Sequence, residues 1–178
     1  MTTRPTLLVR PCFQQDLETV HLIYSHHVLT GTGSFEIEPP TLAEMTDRWG
    51  AVVAGGWPFV VASPTTDLSR VLGFAYARPF RDRPAYDGAY EVSVYSAPTS
   101  QRQGAGALML NEVLHMLKGD GGREVLALIG DSYNTASIAL HTKLGFKRVG
   151  LLSNVGRKFG RDLDVVIMQR SLVKPPAA

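Results

Sequence analysis
A chain of 178 residues, 44% hydrophobic and 19% charged, has the length and balance of one ordinary soluble globular domain with a substantial core. A formal net charge of +2 is too mild to argue for a nucleic-acid partner, although it leaves room for a local basic pocket. The lone cysteine, Cys12, excludes an intramolecular disulfide. No apolar run reaches about 18 residues and Met1–Pro5 lack a signal-peptide core, so the expectation is a cytoplasmic protein with no membrane partner.

In chain order, Thr6 to Arg10 reads as a strand stopped by Pro11. Leu17, Val20, Tyr24 and Val28 recur at helical spacing, and Gly31 and Gly33 end that helix. Pro39-Pro40-Thr41 sets up a second helix, with Thr41 as N-cap and Glu44 as its capping-box partner. Pro58–Ser63 and Val71–Ala77 read as strands around a turn, and Tyr86–Ser96 as a longer strand. Leu110, Val113, Leu114 and Leu117 stripe a third helix that Gly119-Asp120-Gly121-Gly122 ends. Glu124–Ile129 is strand-like, Thr135–Leu144 helical, and Phe146–Leu152 and Leu163–Arg170 are strands. The order βααβββαβαββ supports a mixed α/β domain over residues 1–178, its core at about 6–172, with no internal repeat or linker.

The most telling stretch runs from Val94 to Ala107: a strand end, a turn, then Gln101-Arg102-Gln103-Gly104-Ala105-Gly106 opening the third helix. Glycines let the backbone approach an anion without a Cβ in the way, and the helix's free N–H groups and positive dipole end favour a phosphate or pyrophosphate. Spacing sets aside two familiar phosphate loops. No Lys-Ser or Lys-Thr follows the glycines, as a Walker loop requires, and Met109 stands where a dinucleotide fingerprint needs its third glycine. Adjacent His26 and His27 point about 100° apart on a helix, with nothing to complete a ligand set, so no metal is expected.

The Gln101–Gly106 pattern is similar to the Q/R-x-x-G-x-G/A signature of acetyl-CoA binding in GNAT N-acyltransferases, and Leu140-His141-Thr142-Lys143-Leu144-Gly145-Phe146 resembles their L-Y/H-x-K-L-G-F helix. Ser34-Phe35-Glu36, the run Ala75–Tyr86, Glu91–Tyr95 and Val155–Arg161 narrow the resemblance to the phosphinothricin and methionine sulfoximine acetyltransferase branch. It spans about Leu7 to Arg170, with the motifs in matching order. The resemblance implies a GNAT fold: a central, mixed, twisted sheet splayed between its fourth and fifth strands, with acetyl-CoA filling the gap as co-substrate. It further implies transfer of the acetyl group to a small amino-acid-like amine, and a homodimer.

By the same resemblance, backbone groups of Val94, Tyr95 and Ser96 hold the pantetheine arm, the amides from Arg102 through Ala107 (Arg102, Gln103, Gly104, Ala105, Gly106, Ala107) cradle the pyrophosphate behind Gln101, and Asn134 bonds the arm from the far side. Arg102 reads equally as a phosphate partner or a solvated loop cation. An attacking ammonium has no lone pair, so Glu91 is the implied base, and an N–H near Val94 the implied oxyanion donor. His141 stands where many relatives carry a tyrosine that protonates the leaving thiolate; an imidazolium suits that role, and so does unassisted departure with His141 merely packing. Arg81 and Arg83, near Tyr86, match the branch's basic positions, and their forks suit phosphinate or sulfonyl oxygens; a solvated charge run is the alternative, since Asp82 and Asp87 flank them. Phe35 and Glu36 are the opposite wall, and Lys158-Phe159-Gly160-Arg161 a loop closing the pocket. Asp162, where the branch usually has Trp, and the glycine-rich Gly31–Ser34 depart from the pattern at the pocket wall. Acetylation of a protein or peptide amine, and a non-catalytic acyl-CoA-binding module, are the competing functions.

Overall fold
The computed structural model describes residues 5–100 and 103–173. Seven strands form one sheet in the order β1-β2-β3-β4-β5-β7-β6. They are β1 (Leu7–Pro11), β2 (Phe59–Pro64), β3 (Gly73–Pro79), β4 (Ala89–Ser96), β5 (Glu124–Gly130), β6 (Lys147–Lys158) and β7 (Arg161–Ser171). Four helices, α1 (Leu17–Thr30), α2 (Leu42–Ala54), α3 (Ala105–Gly119) and α4 (Thr135–Lys143), complete the order expected from the sequence.

Side-chain alternation explains the layering. Val60 and Ala62 of β2 face the core that holds Met109, Leu110, Val113, Leu114 and Leu117 of α3. Phe59 and Val61 face the opposite core, with Val20, Tyr24 and Val28 of α1 and Met45 and Val52 of α2. Because helices cover both faces, β2 is buried along its whole length and reads as a continuous apolar run from Phe59 to Ala62. Fully burying a Leu or Val side chain contributes roughly 1.5–3 kcal/mol, so the α3 stripe is a main anchor of that helix. The Thr41 cap forms as expected: the Glu44 amide donates to Thr41 Oγ1 at 3.2 Å, and the Thr41 amide to Glu44 Oε2 at 2.7 Å.

All strand pairs are antiparallel except β4–β5, which is parallel and short. It holds only from Ala89↔Glu124 to Glu91↔Leu126, although both strands run on, so the sheet opens beyond Glu91. Three expectations need correction. Pro11 ends β1 from inside the strand, which an edge strand tolerates because the missing N–H faces no partner. Tyr86 does not start β4: Pro84–Tyr86 is a 3-10 turn, Gly88 takes φ 76°, and the strand begins at Ala89. β6 extends to Lys158 through two register shifts, with Asn154 at φ 57°; the polar and glycine residues that read as loop are an irregular strand instead. Lys158–Arg161 is therefore a two-residue hairpin, Phe159 and Gly160 having φ 51° and 74°.

Candidate active site
Backbone direction along β4 decides what the opening can hold. The Ala97 amide donates to Leu72 and the Phe80 amide to Ala89, so odd-numbered residues of β4 turn their peptide groups toward β3. The alternation of an antiparallel ladder then turns those of Val94 and Ser96 toward the gap, past the last β4–β5 pair. A cleft of about 840 Å³ fills the gap, lined by Val94, Ser96, Gly104, Gly106 and Ala107 on one side and Asn134 and His141 among those on the other. His27 of α1 donates from Nε2 to the Ser96 carbonyl at 2.8 Å and so pins the β4 end of the cleft. Burial lowers the His27 pKa, against the opposing effect of that bond, and suits the ring to this single-donor role.

The start of α3 supplies the anion end. Gly104, its N-cap, sits at φ 91°, where L-residues are strained, and its carbonyl accepts from the Leu108 amide at 3.2 Å. The amides of Ala105, Gly106 and Ala107 belong to the first turn and have no intrahelical partner. Ala105 turns its methyl into the core, whereas a Cβ on Gly106 would meet Leu140 Cδ2 and Ser96 Oγ at 3.5 Å, so the cleft passes close over that glycine. Gln103 lies outside the lining and bonds Thr99 O at 3.2 Å; Gln101 and Arg102 lie outside the described residues. Asn134 caps α4, its Oδ1 accepting the Ser137 amide at 3.2 Å, which leaves its amide nitrogen as the donor for a ligand.

His141 is 3% exposed. Ser137 O can only accept, so the 2.8 Å contact to Nδ1 assigns the proton there and leaves Nε2 a buried lone pair without a partner among the described residues. Burial lowers the pKa further than the Ser137 bond raises it, so the ring is neutral. Glu91 does not line this cleft; it lines a second cavity of about 810 Å³, which also touches Phe35, Glu36, Arg48 and Arg78. The two spaces share Gly33, Ser93, Tyr95, Leu128 and Gly130 and so meet across the splayed sheet. Tyr95 sits at that junction with its ring 5.1 Å from those of Tyr24 and Phe74; burial pushes its phenol well above the ordinary value and keeps it a neutral O–H. Glu91, 14% exposed, accepts from Arg78 Nη2 at 3.0 Å.

The loop after α1 forms the far wall and is clamped at several points. Burial favours the protonated Asp131 carboxyl, but bonds from the Tyr133 amide, Thr32 Oγ1 and Arg161 outweigh it and hold its pKa below normal. Lys158, buried and with a lowered pKa from desolvation, donates to Ser34 O at 2.9 Å, and Tyr24 bonds Ser34 Oγ at 3.1 Å. Phe35 lies on glycine: a Cβ on Gly156 would stand 2.2 Å from its ring, and one on Gly130 2.9 Å. Glu36 of this loop accepts from Arg48 of α2 at 2.7 Å.

The structure thus gathers Phe35, Glu36 and Glu91 around one cavity and Val94, Ser96, Gly104, Gly106, Ala107, Asn134 and His141 around the other, with Tyr95 between. Arg81, Arg83 and Tyr86 line neither: Arg81 stacks 4.1 Å over Phe80 and bonds Phe80 O, Arg83 is exposed, and Tyr86 packs against Phe80. The cavity's own arginines, Arg48 and Arg78, were not singled out from the sequence. Arg78 sits in a strand pattern opposite a candidate base, which is a usable signal; Arg48, an isolated charge on an amphipathic helix, offers none. Cys12, buried with its thiol pushed up to about 12 by desolvation, is an inert packing residue.

Comparison with known proteins agrees with this geometry. The chain is 44% identical over 164 residues to a phosphinothricin N-acetyltransferase of Alcaligenes faecalis, covering 92% of this chain and 82% of that one. It is 32% identical to an L-methionine sulfoximine/L-methionine sulfone acetyltransferase of Pseudomonas aeruginosa, over 92% of this chain and 94% of the relative. A crystal structure of a GNAT superfamily phosphinothricin acetyltransferase from Sinorhizobium meliloti in complex with AcCoA superimposes with a TM-score of 0.89 at 38% identity, covering 93% and 88% of the two chains. The model of the acetyltransferase (GNAT) family matches residues 15–146, and the chain belongs to that family.

Proposed function
We propose that the protein transfers acetyl from acetyl-CoA to the α-amine of a small amino acid with an oxidised head, of the phosphinothricin, methionine sulfoximine or methionine sulfone type. The observation that carries this reading is the junction on β4: Glu91 faces one cavity, and two residues on, Ser93 begins the wall shared with the cleft toward which the Val94 and Ser96 peptides turn. Amine and thioester entering from opposite sides would meet there. The cleft takes the pantetheine arm alongside β4, and the free amides at the start of α3 take the pyrophosphate.

In this reading Glu91 removes one proton from the ammonium, the neutral nitrogen attacks the thioester carbonyl, and the Val94 N–H steadies the oxyanion. As the carbon–sulfur bond breaks, the nitrogen's second proton goes to the thiolate, which leaves as the thiol. A neutral ring cannot lead with a proton, so His141 serves this step as a relay: Nε2 takes the proton from nitrogen and returns it to sulfur. Phe35 and Glu36 bound the substrate's side. Arg81, Arg83 and Tyr86 belong to the segment between β3 and β4, outside both cavities, and in this reading the charge of Arg81 and Arg83 serves the substrate's head group. Supporting a homodimer is the exposed apolar row Val149, Leu151 and Val155 on edge strand β6. Among the described residues no helix is long and apolar enough to cross a membrane, which fits a cytoplasmic site of action.

The test is CoA release on a panel of amino acids, with Arg81→Ala and Arg83→Ala beside the wild type. Methionine sulfone, methionine sulfoximine and phosphinothricin should be the best substrates, and each variant should raise their KM while leaving acetyl-CoA affinity alone. Equal rates with plain aliphatic amines would remove the oxidised-head assignment.

A further inference from the structure
Arg78 and Glu91 face each other directly across the β3–β4 ladder, and Arg78 Nη2 reaches Glu91 Oε1 at 3.0 Å. This puts a fixed cation on the carboxylate proposed as the base. A guanidinium stays protonated in proteins, so Arg78 can neither take nor give the reaction's proton. If it kept its hold, it would compete with the substrate ammonium for the same oxygen. The hold is loose on the arginine side: the contact is a single bond rather than a fork, and the Arg78 side chain is 58% exposed against 14% for Glu91. The cavity's other arginine, Arg48, is engaged through both Nη atoms by Glu36, at 2.7 and 3.5 Å. Arg78 is therefore the lining cation free to find a new anion beside Glu91.

An α-amino acid presents an ammonium and a carboxylate on one carbon, the mirror in charge of the Arg78–Glu91 pair. We propose that Arg78 reads the substrate's α-carboxylate, exchanging Glu91 for it as the α-ammonium takes the vacated place on Glu91. The exchange leaves every charge paired, sets the nitrogen against its base, and makes the free α-carboxylate a requirement for turnover. It rests on the amino-acid acetyltransferase reading and adds to it the residue that selects amino acids over other amines.

The experiment compares methionine sulfone with its α-carboxamide in wild type, Arg78→Ala, Arg78→Gln and Arg78→Lys, following CoA release. The wild type should strongly prefer the free acid. In the Ala and Gln variants the acid-to-carboxamide ratio of kcat/KM should fall by about 10- to 150-fold, the range for a charge-assisted bond, while the KM for acetyl-CoA changes little. The Lys variant should recover part of the preference, because an ammonium keeps the charge without the planar fork. An acid-to-amide ratio unchanged from wild type in both neutral variants overturns the assignment, as does a parallel fall for both substrates, which marks a structural role. Wild-type turnover of neither compound would instead bring down the amino-acid reading itself.

Discussion

The cofactor cleft and the amine cavity meet at Ser93, Tyr95, Leu128 and Gly130, yet they are made of different material. On its β4 and α3 sides the cleft is chiefly backbone: the Val94 and Ser96 peptides beyond the last β4–β5 pair, a left-handed Gly104 and the open first turn of α3. The cavity is chiefly side chains, brought by the α1–α2 loop, α2, β3 and β4 and arranged as two ion pairs, Arg48–Glu36 and Arg78–Glu91. A site built of backbone accepts any ligand that carries the matching polar arm, whereas a site built of paired charges can be retuned by one substitution. Variants on the two sides should therefore separate cleanly in kinetics, each moving one substrate's constants and not the other's.

The largest effect should come from Glu91, the cavity residue proposed as the base. Glu91→Gln keeps the shape and removes the base, so turnover should fall by about 10²- to 10⁴-fold with acetyl-CoA affinity unchanged. The deficit should shrink as the pH rises toward the pKa of the amine, where substrate arrives already neutral. Turnover of this variant equal to wild type near neutral pH would return Glu91 to a positioning role.

Next in size is the backbone side of the comparison. Gly104 holds φ 91°, which costs an L-residue roughly 1–2 kcal/mol, and among the described residues beyond its chain neighbours no atom stands within 4 Å of a Cβ built there, so the dihedral is the obstacle. Gly104→Val should draw the backbone away and misalign the amides of residues 105–107, weakening acetyl-CoA by about 10- to 30-fold in calorimetry. Gly106→Val should act by filling the space between Ser96 and Leu140 instead. An amine KM that moves as far as the acetyl-CoA affinity would break the division between the sites.

A smaller shift should mark the other side. Gly156→Ala places a Cβ 2.2 Å from the Phe35 ring, and because Phe35 is wedged over Gly130 as well, it can yield only toward the cavity or solvent. Overpacking of this kind costs typically about 1–3 kcal/mol. We expect a several-fold change in amine KM and a lower Tm, with acetyl-CoA binding as in wild type. A Tm loss without any kinetic change would make Phe35 a packing residue only.

The same division explains what could be read from the sequence. Gly104 and Gly106, the α3 stripe and the Thr41–Glu44 cap are local patterns, each needing only its neighbours in the chain, and the fold places them as expected. The amine cavity is a tertiary product. Lys158 reaches Ser34 across 124 residues and Thr32 reaches Asp131 across 99, and no spacing rule announces either contact. Arg81 and Arg83 stood out because they cluster, while Arg48 and Arg78, which line the cavity, stand alone among polar or strand neighbours. The irregular β6 was hidden for a related reason: Asn154 and Gly156 look like turn residues, and only the pairing with β7 carries the strand through them.

The smallest effect concerns His141, whose buried Nε2 has no partner among the described residues. Burial lowers the pKa of His141, so the folded state holds the ring neutral with its proton on Nδ1 toward Ser137 O. In the unfolded chain a histidine titrates near about 6.5. Above that pH neither state binds the proton and the ring's contribution is fully present; as the pH falls through it and on through the depressed folded value, the unfolded chain takes up a proton that the native ring refuses, and stability is lost. His141→Asn preserves a donor for Ser137 O but cannot titrate. The variant should therefore lose less Tm than wild type between about pH 7.5 and about pH 5. His27, whose pKa burial also lowers, is common to both proteins and cancels. Superimposable pH profiles would mean that the His141 ring is not held neutral by the fold, and the relay through Nε2 would then give way to a ring that arrives already charged.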